Sequence, residues 1–537
     1  MANSTPQVLV VGAGPTGLVT AIELRRRPID CRIIERRSGP SHTSRAITVH
    51  ARTMEILEDM GIAQRFLHGG VRNDGYIFNF HGRDEKPQLD YTRLPTRFPF
   101  VCMFNQNETE KILRDHLERD LGLAIEWDAE LTDIKQPTDG MLDVTVTHQG
   151  DSRRGPEKIQ PSWVIACDGI HSPTRELLGF KYTGAEYDGL VMQMIDAELT
   201  NFTGTDHLLH YYISPDTFLM IGKLAGPNHR VLVSARGDVK EIENKDLIGP
   251  IVDLHLPQIR IGTPEWKTTW EIWIRKADTY RKGQVFLCGE SAHVHSVAGG
   301  QGWNVCLQDA YNLVWKLALV IRGHAHPALL DTYVREREPV TNQVIAGSSA
   351  IHEIILAHGS GLNERMARTQ TEGWQDNAVA RISGLSYNYR GLIDVPAGTP
   401  ADDVHLSGPA IGDRLPDVAL SDHLRLHQLI AHTRFTLMIL LRQVDAVSLA
   451  SARAAAVIMT QHYAACVRIE LIAPAVVHPW PGLLPIADVE GRAVNALNAA
   501  TEGEFLLVRP DGYVGYRCPL GRFDLLSAWV KSVLIAQ

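Results

Sequence analysis

Residues 8–35, VLVVGAGPTGLVTAIELRRRPIDCRIIE, constrain the fold of this chain more than any other stretch. Val8 to Val11 form an apolar, β-branched run of the kind that makes a buried strand. Gly12, Gly14 and Gly17 follow as Gly-x-Gly-x-x-Gly, with Pro15 and Thr16 inside the motif, at the opening of an amphipathic helix. A second apolar strand, Cys31 to Ile34, ends in Glu35, and Arg36 comes next. In such a βαβ unit the glycines permit a tight turn, close backbone approach to a pyrophosphate, and close helix–strand packing. The helix N-terminus offers unpaired N–H groups to negative charge. Glu35 can accept hydrogen bonds from a ribose. The expectation is an α/β domain with a dinucleotide site.

Several functions are excluded at the level of composition. The formal net charge is −9, with no long single-sign run, so nucleic acid is not expected as a partner. No apolar run approaches the roughly 18 residues needed to span a bilayer. The N-terminal MANSTPQ has no basic region and no apolar signal core. The expectation is a soluble, cytoplasmic protein without a membrane partner. Seven cysteines are scattered without a Cys-x-x-Cys pair, which fits reduced thiols and no zinc site. A chain of 537 residues has room for roughly two or three domains.

Periodicity divides the chain. Residues 105–121 show helical spacing, with Ile112, Leu113, Leu117 and Leu121 on one face. LDVTVTH, at 142–148, alternates as a strand, and Pro161 precedes the buried run WVIACDG. From about 181 to 275 the pattern is mostly strand-like, as in LLHYYIS and RVLVSA, and predicts a mainly β second domain. Residues 284–322 return to strand, loop and long helix. Gly- and Pro-rich segments near 384–416 suggest a linker into a third region, about 417–537, that ends in a helix.

Three further motifs carry candidate chemistry. Cys167-Asp168-Gly169 follows a buried strand, with His171-Ser172 just after it. In FLCGESAHVHSVAGGQGWNVCLQDAYNLVWKLAL, from Phe286 to Leu319, a strand ends at Gly289-Glu290. A loop then carries His293, His295, Gly299, Gly300 and Gly302, and a long helix starts near Trp303. Two histidines two apart could be metal ligands, but no carboxylate or cysteine stands at ligand spacing to complete a shell, so no metal is expected. In SRAITVHARTMEIL, Arg45 and Arg52 are either cations that meet phosphates or solvated surface charges. No second glycine fingerprint is present, so NADPH or NADH would visit as a co-substrate.

The glycine triplet, the mid-chain Asp-Gly and the later Gly-Glu motif running into GGQG-x-Asn resemble the single-component FAD-dependent aromatic hydroxylases, in their phenol hydroxylase branch. FNQNETE, PSWVIACDG, YRKGQVFLCGESAH, HEIILAHG and GLSYNYR extend the resemblance over nearly the whole chain. It implies a p-hydroxybenzoate-hydroxylase-like FAD domain with a Rossmann-type βαβ unit, assembled from residues 1–180 and 276–390. It implies a β substrate domain at 181–275 with part of 70–105, and a C-terminal thioredoxin-like domain at 400–537. Lacking Cys-x-x-Cys, that last domain is expected to be structural or to stabilise a homodimer. Carried over, the resemblance places Gly12, Gly14 and Gly17 at the FAD pyrophosphate and Glu35 at the adenosine ribose. It places Arg45 and Gln106 near FAD, Asp168 at FAD and NAD(P)H, and Glu290 at the ribityl or pyrophosphate region. Gly299 to Asn304, including Gly300, Gly302 and Trp303, would line the isoalloxazine edge. Glu290 stands in place of the usual Asp, Val297 of Pro, Trp303 of Leu or Met, and Pro28 of Gly.

The implied reaction is hydroxylation of a small substituted phenol or catechol with NAD(P)H and O2, through a flavin C4a-hydroperoxide. A nitro or halogen substituent on the attacked carbon would be displaced. Tyr211, Tyr212 and His295 are the candidates to help form the phenolate. Alternatives are a polyketide aromatic hydroxylase, a flavin reductase, a halogenase and a non-catalytic FAD-binding scaffold. Trp270 and Trp273 lack the halogenase spacing and its Pro.

Overall fold

The computed structural model describes residues 6–41, 46–137, 141–149, 155–356, 361–393, 408–474 and 485–537. The first strand, Val8–Val11, is buried at every position. It lies between Cys31–Ile34 and Trp163–Ala166, parallel to both. Val285–Leu287 extends the parallel set beyond Trp163–Ala166, and Arg281–Lys282 closes that edge antiparallel. Strands buried on both faces carry continuous Val/Ile/Leu runs rather than alternating ones. Val11 is in register with Ile34 and with Ala166, and Ala166 with Leu287. The residues that follow these strands, Gly12, Glu35, Asp168 and Glu290, therefore come out at one edge of the sheet. Open parallel sheets bind ligands at that carboxyl edge.

The middle of the chain forms a mostly antiparallel sheet. From one side it runs His293–Val294, Trp266–Ala277, Tyr182–Thr200, Asn228–Arg236, Phe218–Lys223, Leu208–Ile213, Gly75–Phe80 and Gln88–Asp90. Gly75–Phe80 pairs parallel with Leu208–Ile213, so residues far upstream complete the sheet. One face packs Ile195, Leu219, Ile221, Val231 and Val233 against the helix Ile248–His255. The other face looks toward the first sheet.

Two helices join these bodies. Gly302–Ile321 is buried at every position from Asn304 to Leu319 and packs against the helix Pro15–Arg26. Thr332–Leu356 begins in the core of the dinucleotide unit at Tyr333 and ends in that of the middle sheet at Ile354, Ile355 and Leu356. The helix Trp374–Ile382 also packs in the middle-sheet core through Ala378, Val379 and Ile382. Segment 276–390 thus serves two cores, where the sequence assigned it to one.

The C-terminal sheet has the order Ile486–Ala487, Val467–Ala473, Phe435–Leu440, Glu504–Val508, Val514–Pro519. The helix Ala446–Tyr463 crosses between its two long parallel strands, and the last two strands form an antiparallel hairpin followed by the helix Phe523–Val533. This βαβ–ββα arrangement is a thioredoxin-like fold. Cys466 and Cys518 are free and buried in its core. No helix among the described residues is long and apolar enough to cross a membrane.

Candidate active site

One cavity of about 670 Å³ connects the carboxyl edge of the first sheet to the inner face of the middle sheet. Gly12, Gly14, Pro15, Thr16, Glu35 and Arg36 line its first end. Gln106, Asp168, Glu290, His295, Gly300, Gly302 and Trp303 line its middle, and Tyr211 its far end.

The three glycines have separate jobs. Gly12 has φ +100°, and a Cβ there would come within 2.4 Å of the Cys167 carbonyl oxygen. A Cβ on Gly17 would lie 1.8 Å from the Gly12 carbonyl oxygen, so Gly17 sets helix–strand packing and does not line the cavity. A Cβ on Gly14 would meet nothing within 4 Å. Gly14 is also the N-cap of the helix Pro15–Arg26, and no side chain caps it. Open space above an uncapped helix N-terminus suits a pyrophosphate. Gly302 repeats the pattern: it opens the second helix, uncapped, with nothing within 4 Å of a built Cβ.

Glu35 is held firmly. Its Oε2 accepts from the Ala13 amide at 2.9 Å, and its Oε1 from the Arg37 amide and Nε, each at 3.0 Å. Burial pushes the carboxyl up, but Arg37 and the two amides outweigh it and leave the pKa lowered. The Glu35–Arg37 pair was not foreseen, although the two residues are separated by a single position. Asp168 is in the opposite condition. Its Oδ2 accepts from the Thr174 amide at 3.1 Å, while Oδ1 is buried without a partner. Burial raises its pKa. An orphaned carboxylate oxygen in a dinucleotide cleft is an acceptor awaiting a hydroxyl donor. These features fit FAD: an open anion-binding turn, an anchored acid for the ribose, an unsatisfied acceptor at mid-cavity, and a second helix N-terminus.

The loop into the second helix is pinned to residues 46–50. Trp303 Nε1 donates to the Thr48 carbonyl at 2.8 Å, and Thr48 Oγ1 donates to the Gly300 carbonyl at 2.8 Å. Asn304 corrects its expected role. Its amide donates to Thr48 O and Gly300 O and accepts from the His50 amide, so it clamps the loop and does not line the cavity. Gln106 accepts from the Ala46 amide at 3.2 Å and lines the cavity beside it. Arg45 lies outside the described residues. Arg52 is not a cofactor cation. It is buried and donates to Glu55 at 3.0 Å and to the Asp511 carbonyl of the C-terminal region at 2.5 Å.

At the far end, strand alternation separates the two tyrosines. Tyr211 faces the cavity and stacks on Phe78 at 5.3 Å. Tyr212 faces the other side, near His255, and is removed from the catalytic candidates. Burial pushes the Tyr211 hydroxyl pKa up. His295 stacks on His293 at 6.4 Å, and its Nδ1 donates to the Ser296 carbonyl at 2.9 Å. Its Nε2 is then the unprotonated nitrogen, buried without a partner. Burial, then the neighbouring His293, lowers its pKa to about 4. His293 itself is tied to Asp309 at 2.7 Å, and Asp309 to Arg337 at 2.7 Å. Among the described residues no cluster of His, Cys, Asp and Glu could hold a metal.

Met192, Met194, Leu209, Met220, Leu232 and Trp270 complete the far wall. Of these the sequence singles out only Trp270, and as evidence against a halogenase; alternation along 190–236 marks the others as one face. Arg230 also lines the cavity, but Asp196 holds it through two bonds of 2.7 Å.

Comparison with known proteins adds the following. An FAD binding domain family matches residues 5–348, and an aromatic-ring hydroxylase C-terminal family matches residues 408–534. The chain is 39% identical to pentachlorophenol 4-monooxygenase of Sphingobium chlorophenolicum, over 98% of this chain and 96% of that protein. It is 32% identical to 6-methylpretetramide 4-monooxygenase of Streptomyces rimosus, over 98% of this chain and 93% of that protein. Among solved structures, anhydrotetracycline hydroxylase from Streptomyces rimosus superposes with a TM-score of 0.74 at 26% identity, covering 98% of this chain and 99% of that one. Aklavinone-11 hydroxylase, solved with FAD and aklavinone, shares the fold with a TM-score of 0.76 at 24% identity and 99% coverage of both chains.

Proposed function

This chain belongs to the FAD-dependent aromatic-ring hydroxylases, and from that premise we propose that it hydroxylates a small substituted phenol or catechol with NAD(P)H and O2. The observation that carries the substrate class is the far wall of the cavity. It is built of Met, Leu, Tyr and Trp side chains, and the charge of Arg230 is neutralised by Asp196 at 2.7 Å. A carboxylated ring would find its anion beside a cation already taken. An uncharged or weakly charged phenol loses less on entering.

FAD, bound across Gly14, Glu35, Asp168 and Gly302, would supply hydride acceptance and dioxygen activation, which no side chain here can supply. Glu35 holds the ribose end, anchored by Ala13 and Arg37. The positive end of the helix starting at Gly302 opens on the cavity, where it would favour negative charge on a bound flavin, and the Thr48–Trp303–Asn304 clamp fixes that end in place. The apolar wall excludes water from the reacting ring. His295 and Tyr211 are both kept uncharged by burial, so neither takes a proton readily at neutral pH. They can orient a phenol hydroxyl but only weakly ionise it. The site therefore suits phenols acidic enough to ionise once bound with little help from the protein, such as those with nitro or halogen substituents, and expulsion of such a substituent is the expected outcome at a substituted carbon.

The test is a panel of nitrophenols, halophenols and nitrocatechols. NAD(P)H and O2 consumption should rise with ring acidity, with hydroxylated product and released nitrite or halide identified. Should all of them fail to stimulate oxidation while a polycyclic polyketide does, the substrate is the latter. NAD(P)H oxidation insensitive to every ring would indicate a reductase, and FAD binding without any oxidation a scaffold.

A further inference from the structure

The two faces of the middle sheet differ in chemistry in a way that burial does not explain. On the face away from the cavity, the strands Tyr182–Thr200, Phe218–Lys223 and Asn228–Arg236 present Ile195, Ala197, Leu219, Ile221, Val231 and Val233. On the cavity face, the same strands present Leu190, Met192, Met194, Phe218, Met220 and Leu232, so that all three methionines fall on this side and none on the other. Both faces are buried, with these methionines at most 5% exposed. β-strands favour branched and aromatic residues, and methionine loses more rotamer freedom on burial than valine or isoleucine. Packing alone would select the composition of the outer face twice.

The register shows that the methionines are not scattered. Met194 and Met220 are each paired with Leu232, Met220 is paired with Tyr211, and Met192 with Trp270. These three thioethers and the Tyr211 and Trp270 rings line the same cavity as Ile355 and Leu356 of the helix Thr332–Leu356. A thioether differs from a branched alkyl group mainly in being polarizable and adaptable in shape.

We propose that Met192, Met194 and Met220 are specificity-determining residues, forming a polarizable wall that selects rings bearing chlorine, bromine or other soft substituents over rings bearing alkyl groups of the same size. The inference rests on the phenol reading of this cavity and adds which substituents it prefers and why. Chlorine and methyl fill nearly equal volumes, so a wall that only measures size treats them alike.

Ring acidity must be removed from the test, because halogens also make phenols more acidic. The methyl ethers 2,6-dichloroanisole and 2,6-dimethylanisole cannot ionise. Their dissociation constants with the FAD-loaded protein can be read from perturbation of the flavin absorption, without turnover. The dichloro ring should bind at least about fivefold tighter, which is roughly 1 kcal/mol. Met192→Leu, Met194→Leu and Met220→Leu, made singly and together, conserve volume. They should erase the preference while leaving the dimethyl ring's affinity within about twofold. Protein in which every methionine is selenomethionine has the same shape and a softer atom, so its preference should widen; this arm holds even if the combined variant does not fold. Equal binding of the two rings by the unaltered protein overturns the proposal, as does a preference that survives in the leucine variants. If neither ring binds and no phenol is turned over, it is the phenol reading that has failed, and the proposal falls with it.

Discussion

At the scale of single residues, two glycines three positions apart should fail in different ways. Gly14 has open space where a Cβ would go, so Gly14→Val should fold normally and purify colourless, its side chain standing where the pyrophosphate passes. Gly17→Val puts a side chain 1.8 Å from the Gly12 carbonyl and should cost the fold itself. Circular dichroism and FAD titration separate the outcomes; yellow Gly14→Val protein with full FAD occupancy would remove this turn from the site. Trp303 tells a second residue-scale story. Its ring lines the cavity while its Nε1 is tied to Thr48 O at 2.8 Å. Trp303→Leu should cost about 1 kcal/mol for the lost bond, since Asn304 Nδ2 still donates to the same carbonyl at 2.8 Å. It should also widen the range of accepted phenols and raise uncoupled H2O2 release. An unchanged substrate profile with unchanged coupling would mean that the ring does not shape the cavity.

At the scale of elements, charged side chains couple the helices of the dinucleotide unit to the C-terminal fold. The helix Ala51–Asp59 carries Arg52 and Glu55 on a buried face. Arg52 reaches Asp511 O, and Arg414 from the C-terminal region pairs with Glu55. In the same way Glu336 of the helix Thr332–Leu356 accepts from Lys316 at 2.8 Å and from Arg509 at 2.8 Å. Removing one member of a buried ionic group costs about 3–5 kcal/mol when the partner is left alone. Glu55 keeps Arg414, so Arg52→Leu should lower unfolding free energy by about 2–3 kcal/mol in urea titrations and leave FAD affinity unchanged. A loss of FAD affinity at unchanged stability would instead return Arg52 to the phosphates.

At the scale of the whole molecule, buried histidines set the response to acid. Burial lowers His50, His295 and His427 from an ordinary 6.5 to about 4 each. The unfolded chain takes up protons below its ordinary histidine value that the folded chain refuses. Stability is therefore full above 6.5 and falls as pH drops toward 4. Each such group contributes a slope of about 1.4 kcal/mol per pH unit inside that window. Glu55 and Glu336 add a second loss lower down. Burial pushes both up, but Arg414 and Arg509 respectively, among other cations, hold them well below 4.5, so their contribution is present above 4.5 and lost beneath it. The melting temperature should fall from pH 7 to pH 5, above the range in which Glu55 and Glu336 titrate, and His427→Gln should flatten that decline. A melting temperature constant across this window would contradict the histidine assignment.

What the sequence determined by itself was whatever depends on neighbours along the chain. The turn at Gly12 to Gly17, the strand ending in Glu35, the uncapped helix after Gly302 and the missing Cys-x-x-Cys are local patterns, and each is legible because its chemistry lies within a few residues. The α/β class and the three bodies followed from periodicity and from the family resemblance. What only the tertiary structure decided was which side chains share a space. Register across strands far apart in sequence set Met192, Met194, Met220 and Tyr211 on one wall and turned Tyr212 away from it. Contacts spanning more than four hundred positions gave Arg52 to Asp511 instead of to a phosphate. Asn304, inside a legible motif, became a clamp because Thr48 and His50 happen to lie against it. A strand's pattern states that its faces differ, but what stands opposite each face is fixed by the packing of whole sheets and helices.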